Sequence, residues 1–195
     1  MTILIFGLVI FLATHSVRIL AASWRDGMIA RRGENAWKLG FSALSVIGLA
    51  LIIWGYGAAR QSPTLLFNAP SGMRHAAALL TLIAFILVAA AYVPRNHFKA
   101  RFHHPMVLGV KAWAVAHLMA NGTLADIVLF GSFLAWAVCS FIAARKRDRA
   151  AGTVYPPGTI AGTLGAVAAG TVAWVVFALW LHAMLIGVRP FATAA

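Results

Sequence analysis

Six apolar runs divide the chain, at residues 1–22, 38–58, 75–93, 105–121, 124–144 and 167–188. Each is near the ~17–25 residues that an α-helix needs to cross about 30 Å of hydrocarbon. The pattern predicts an all-α, polytopic transmembrane helix bundle of about six spans, one domain over 1–195 with no soluble module. The fourth run is the shortest and most polar. A five-span reading takes 105–144 as one interrupted unit, but Asn121-Gly122 marks a tight turn between two spans. The first run carries no Lys or Arg before its apolar residues, and Arg18 and Arg25 follow it. That is the pattern of a retained helix rather than of a cleaved signal.

The polar positions inside these runs are the next signal. Residues 104–122 are apolar enough to cross a bilayer, yet they include His104, Lys111, His117 and Asn121. Such groups cost a few kcal/mol each at mid-depth unless they face a partner, a cavity or the interface. His15 and His182 are likewise well inside spans.

Composition supports the membrane reading: 62% of residues are hydrophobic and 10% charged, with a mean hydropathy of +0.87. The net charge of +12 would suggest nucleic acid, but its distribution points elsewhere. The first, third and fifth gaps hold Arg25, Arg31, Arg32, Lys38, Arg95, Lys99, Arg101, Arg145, Lys146, Arg147 and Arg149. The opposite side holds only Arg60, Arg74 and Arg189. This positive-inside bias puts both termini on the non-cytoplasmic side, in the periplasm for a bacterial inner (cytoplasmic) membrane. The basic loops are then expected to meet anionic lipid, and nucleic-acid binding is excluded.

The long gaps read as connections. Residues 59–74 contain Pro63, Pro70 and Gly72 around an apolar Thr64–Phe67, which is expected to rest on the membrane surface or to cap the bundle. Residues 145–166 read as a cytoplasmic linker. Gly158, Gly162, Ala166 and Gly170 recur every four residues and predict a smooth face for helix packing. Cys139, the lone cysteine, is expected to be a small apolar packing residue.

The candidate chemistry lies in the histidines. Seven accompany only four acidic residues, Asp26, Glu34, Asp126 and Asp148, and no carboxylate pair lies at membrane depth. This disfavours a transporter built on intramembrane carboxylates and a carboxylate-rich metal site. Imidazoles on separate helices without thiolates suit haem iron, with copper or zinc as alternatives. His15 is followed by Arg18, His117 by Asn121 and His182 by Arg189, at spacings that share a helix face. At 1.5 Å per residue, His15 lies roughly 10 Å from the cytoplasmic side, His117 roughly 18 Å and His182 roughly 22 Å. Depth therefore matches His117 with His182 better than with His15. Lys111 and Arg18 are expected to reach for the interface or to pair with an anionic ligand.

Residues His104-Pro105, Gly109, Trp113-Ala114, Ala116-His117-Leu118, Ala120-Asn121-Gly122 and Leu129-Phe130-Gly131, with His15, resemble the NnrU family of bacterial membrane proteins. The resemblance covers nearly the whole chain and is most specific from 104 to 136. Two departures stand out: His103 where the family commonly has Arg before His-Pro, and Thr123 where an Asp often follows Asn-Gly. The resemblance implies a role in the expression or activation of nitrite and nitric oxide reductases in denitrification. It also implies similarity to the 15-cis-zeta-carotene isomerase, an integral membrane protein that binds haem b. On that likeness His15 and His117 match positions considered haem ligands, with His104 at another family histidine. Two functions are therefore expected. One is a haem-dependent cis–trans isomerase acting on a carotenoid or related polyene, held between spans beside Trp113 and Trp136. The other is a non-enzymatic membrane factor that contacts partners or further copies through Gly158–Gly170 and the basic loops.

Overall fold

The computed structural model describes residues 1–70 and 72–191. Its helices are α1 (Thr2–Leu20), α2 (Ala22–Arg32), α3 (Glu34–Ala59), α4 (Met73–Tyr92), α5 (His97–Phe102), α6 (Pro105–Ala120), α7 (Leu124–Ala151), α8 (Ile160–Val176) and α9 (His182–Ile186). A π-helical turn, Phe177–Leu181, joins α8 to α9 without a break. Five stretches are long and apolar enough to cross a membrane: α1, α3, α4, most of α7, and Ile160–Ile186. The protein is a multi-pass membrane helix bundle.

The sixth apolar helix, α6, has 16 residues, about 24 Å at 1.5 Å per residue. It is short of a full span, but it is not alone in lipid. The helices pack in the order α3–α1–α7–α6–α4–α8, so α6 is flanked by α7 and α4. Its connection to α7 is also covered by protein. Leu66 N–H donates to Gly122 O at 2.8 Å, and Leu124 N–H donates to Thr64 O at 2.9 Å. The Thr64–Phe67 stretch thus caps the bundle at this turn, and its backbone supplies the hydrogen bonds that lipid cannot. A side chain at Gly122 would run into the Phe67 carbonyl, which explains the glycine there.

Local chemistry sets the helix ends. Pro105 opens α6, where its missing N–H costs nothing. Thr123 and Asp126 form a reciprocal capping box at the start of α7. Gly152 ends α7 in the left-handed conformation, at φ 60°. Asn96 is buried and satisfied three times: it donates to Ala90 O (2.9 Å) and Val93 O (2.6 Å) and accepts from Lys99 N–H (2.8 Å). It thereby fixes the bend from α4 into α5.

Several boundaries depart from the hydropathy pattern. α2 and α5 lie in stretches read as gaps, because both are too polar to register as spans. α7 continues through Arg145–Arg149, and α8 begins at Ile160, not 167. The 145–166 segment is therefore mostly helix. The Gly158–Gly170 stripe faces the chain itself: Gly158 lies against His97, Gly162 against the Pro94 and Arg95 carbonyls, and Gly170 against Ile86. That face is consumed by packing on α4 and α5 and does not serve an outside partner. Cys139 is exposed on the bundle surface rather than packed. Met1 lines a small pocket with Ala58 and Ser62, and Arg60 donates to Ile186 O at 2.7 Å. The starts of α1 and the end of α9 thus share one end of the bundle, opposite the basic loops.

Candidate functional site

α6 carries His117 on the face turned to α7. Its Nδ1 is 2.8 Å from Trp113 O, one turn earlier. A carbonyl only accepts, so Nδ1 bears the proton and Nε2 keeps its lone pair. Phe130 stacks on the imidazole at 4.5 Å between centroids, and Trp113 lies 5.1 Å away. Asn121, its companion by spacing, donates to the His117 carbonyl at 2.9 Å rather than to the ring. Below this layer, Asp126 accepts from Tyr56 Oη at 2.6 Å and from Thr123 Oγ1 at 2.6 Å. The carboxylate is buried but fully paired, so it is a strut between α3 and α7, not a free base. The sequence placed Asp126 at the start of a span without revealing this tie, because its partner is on another helix.

His15 repeats the arrangement on α1. Its Nδ1 is 2.7 Å from Phe11 O, which again frees Nε2. Phe11 stacks on it at 4.1 Å, Phe41 stands at 5.0 Å and Trp136 edge-on at 6.1 Å. The Trp136 indole N–H is buried with no acceptor. A buried donor without a partner is uncommon in folded proteins. His182 completes the set: Nδ1 lies 2.8 Å from Val188 O, directly after the π-helical turn. π-turns recur at functional positions.

The structure separates these rings into layers. His117 touches Phe130, and His15 touches Trp136; these are six positions apart on α7, about 9 Å along its axis. Between them, Phe133 lies 5.7 Å from Phe11 and 5.4 Å from Trp113. His15 and His117 are therefore linked by a wall of aromatic rings and do not converge on one point. His182 stands against Phe177, at 5.9 Å between ring centroids. Arg18 is exposed on α1 and shares no side-chain hydrogen bond with His15 among the described residues.

His104 belongs elsewhere. Its Nε2 is 2.8 Å from Asp148 Oδ2 at the basic end of the bundle. Tyr155 Oη donates to the same oxygen at 3.0 Å and stacks on His103 at 4.1 Å. Arg145 donates to His103 Nδ1. His103 itself sits at φ +66°, a strained conformation held by these contacts. Two basic helix ends and a linker are thus tied to one carboxylate. Nothing in the local pattern signals it, since His104 and Asp148 are 44 residues apart.

As a ligand set, the interior histidines suit one kind of group. A bare zinc or copper ion needs three or four protein donors. No group of three His, Cys, Asp or Glu able to hold a metal occurs among the described residues. Haem iron asks the protein for only one or two axial imidazoles. A ring whose Nδ1–H is fixed by a carbonyl presents Nε2 in the tautomer that ligation requires. The donor chemistry at His117 fits haem, whereas a His15–His117 pair would first need the Phe11–Phe133–Trp113 wall to part.

Comparison with known proteins gives one family. The model for NnrU, described as NnrU protein, matches residues 3–190. No curated protein and no solved structure gives a significant match.

Proposed function

The chain belongs to the NnrU family, and from that premise we propose a haem b-binding protein of the bacterial inner membrane, with His117 as its anchoring axial ligand. His182, which like His117 lies near its helix end away from the basic loops, is the second ligand in this reading; His15, the position implied by likeness to the isomerase, is the alternative. The observation that carries this reading is the shared Nδ1–H···O=C bond, which leaves Nε2 free on each interior histidine.

The chain's own residues supply positioning and packing. Trp113 O fixes the His117 ring, and Phe130 and Trp113 pack against it. Haem, when bound, supplies an iron centre able to weaken a polyene double bond without net redox change. A carotenoid-like substrate would then be isomerised from cis to trans against the aromatic wall that includes Trp113 and Trp136. The absorption spectrum of detergent-purified protein tests the cofactor. A Soret band that disappears in His117→Ala is expected. No chromophore after expression with ample haem overturns the reading. The chemistry is tested by incubating haem-loaded protein with a cis-polyene extract; no conversion in either oxidation state removes the isomerase.

A second reading is a non-enzymatic factor supporting nitrite and nitric oxide reductases. The exposed basic positions Arg31, Arg32 and Arg149 favour it, because they are free for contact while the Gly158–Gly170 face is not. Unchanged nitrite and nitric oxide reduction in a deletion strain would end it.

A further inference from the structure

On the face of α6 turned away from His117 lies an apolar groove of about 650 Å³, bounded by Leu80, Ile83 and Leu87 of α4, Phe98 and Phe102 of α5, and Lys111 of α6. Its volume is in the range of ligand sites. Leu108, Lys111, Ala112 and Val115 line it from α6, and the helical repeat places them opposite 113 and 117. The groove is therefore independent of the haem reading.

Lys111 is its anomaly. The side chain arises about 9 Å inside α6 from its basic end. Its Nζ sits 4.2 Å from the centre of the Phe141 ring, a cation–π contact that offsets only part of the cost of a charge in hydrocarbon. No carboxylate among the described residues answers it. Asp26 is paired with Arg25, Glu34 with Lys38, Asp148 with His104, and Asp126 with Tyr56. All four acidic side chains are thereby engaged elsewhere, which leaves Lys111 able to take a counter-charge from outside the polypeptide. Arg101, exposed on α5 next to the groove-lining Phe102, adds a second cation at the headgroup level.

We infer that this groove holds an anionic phospholipid from the leaflet at the basic end, one acyl chain lying between α4 and α6 and the phosphate facing Lys111 and Arg101. The leaflet is the source because the groove reaches Phe98 and Phe102 of α5, at the bundle's basic surface, where anionic lipid concentrates. Lysine is suited to the task, since its stem lies along apolar surface while the ammonium reaches the head.

The test is native mass spectrometry of the full chain in detergent, titrated with phosphatidylglycerol or phosphatidylethanolamine of identical acyl chains. Phosphatidylglycerol should be retained about fivefold better, the effect of one basic residue near a charged head. Lys111→Gln should abolish that preference, Lys111→Arg should keep it, and Arg31→Gln, an equal change of charge on α2, should leave it intact. Leu108→Trp keeps the cation but fills the groove, and should lose both lipids. Equal retention of the two lipids, or equal losses in Lys111→Gln and Arg31→Gln, would overturn a defined site in favour of general surface attraction. Unchanged retention in Leu108→Trp would overturn the groove as its place. Displacement of phosphatidylglycerol by stoichiometric palmitate, dependent on Lys111, would overturn the phospholipid in favour of a free fatty acid.

Discussion

His15, His117 and His182 bond backbone carbonyls, whereas the histidines of the basic end bond charged side chains. At His15, His117 and His182, Nδ1 donates to a backbone carbonyl and Nε2 is left with a lone pair. At the basic end, His104 commits Nε2 to Asp148, and His103 accepts from Arg145 on Nδ1. The same residue type is a poised ligand in one region and a cross-link in the other. What decides is the partner: at His15 and His117 a carbonyl one turn back on the same helix needs no second element, whereas at His104 a carboxylate from α7 ties two elements together. Intramembrane position alone does not separate these roles; the partner does.

The sharpest way to break the comparison is to exchange its two halves. His117→Ala should remove haem from the purified protein entirely, while His104→Ala should leave the Soret band at full height and lower only thermal stability. Equal loss of haem in both variants would mean that the basic-end histidine is a ligand after all. Among the interior rings, His182→Ala should convert a six-coordinate, low-spin spectrum to a five-coordinate one, and His15→Ala should not. The reverse result would show that the aromatic wall parts on haem binding.

A smaller effect is expected at the basic end itself. Asp148→Asn keeps the side-chain volume but removes the charge that His104 and Tyr155 share. Charge-assisted hydrogen bonds contribute about 1.5–3 kcal/mol each when well shielded, and partial exposure of this carboxylate brings the expected loss to about 1–2 kcal/mol. A melt of the detergent-solubilised protein should fall by a few degrees with haem content unchanged. An unaltered melt would reduce the cluster to a surface contact.

How legible these regions were in the sequence follows the same division. Hydropathy located α1, α4 and α6 to within about two residues, since the apolar run and the helix end together there. It missed the two-turn extension of α7 and the early start of α8. Arg, Lys, Gly and Thr lower hydropathy without ending a helix, and only Gly152 and Thr159, as caps, mark the true stops. His117 stood out because a polar group in an apolar run is visible one residue at a time. The depth offset between His15 and His117 was readable from residue counts, but the phenylalanine wall between them was not, because Phe11, Trp113 and Phe133 come from three helices. The Asp148 cluster was silent for that reason too. His103, His104 and Tyr155 read as loop residues until the fold brings them to one carboxylate.

The finest test concerns Tyr155, which reports on the basic end without disturbing it. Its phenol is held above the ordinary value near 10, first by burial against His103 and then by the hydrogen bond to, and the charge of, Asp148. A raised value in the folded state means that the stabilisation is fully present below pH ~10 and is lost as pH rises through the raised value. Tyrosinate absorbance of the wild type minus that of Tyr155→Phe isolates this one group. Its midpoint should lie above that of a free phenol and should fall in Asp148→Asn. It should not fall all the way, because burial, the larger cause, survives the substitution. A midpoint that returns fully to the free value would show that Asp148 positions the ring as well as charging it, and that the stack on His103 follows from the carboxylate.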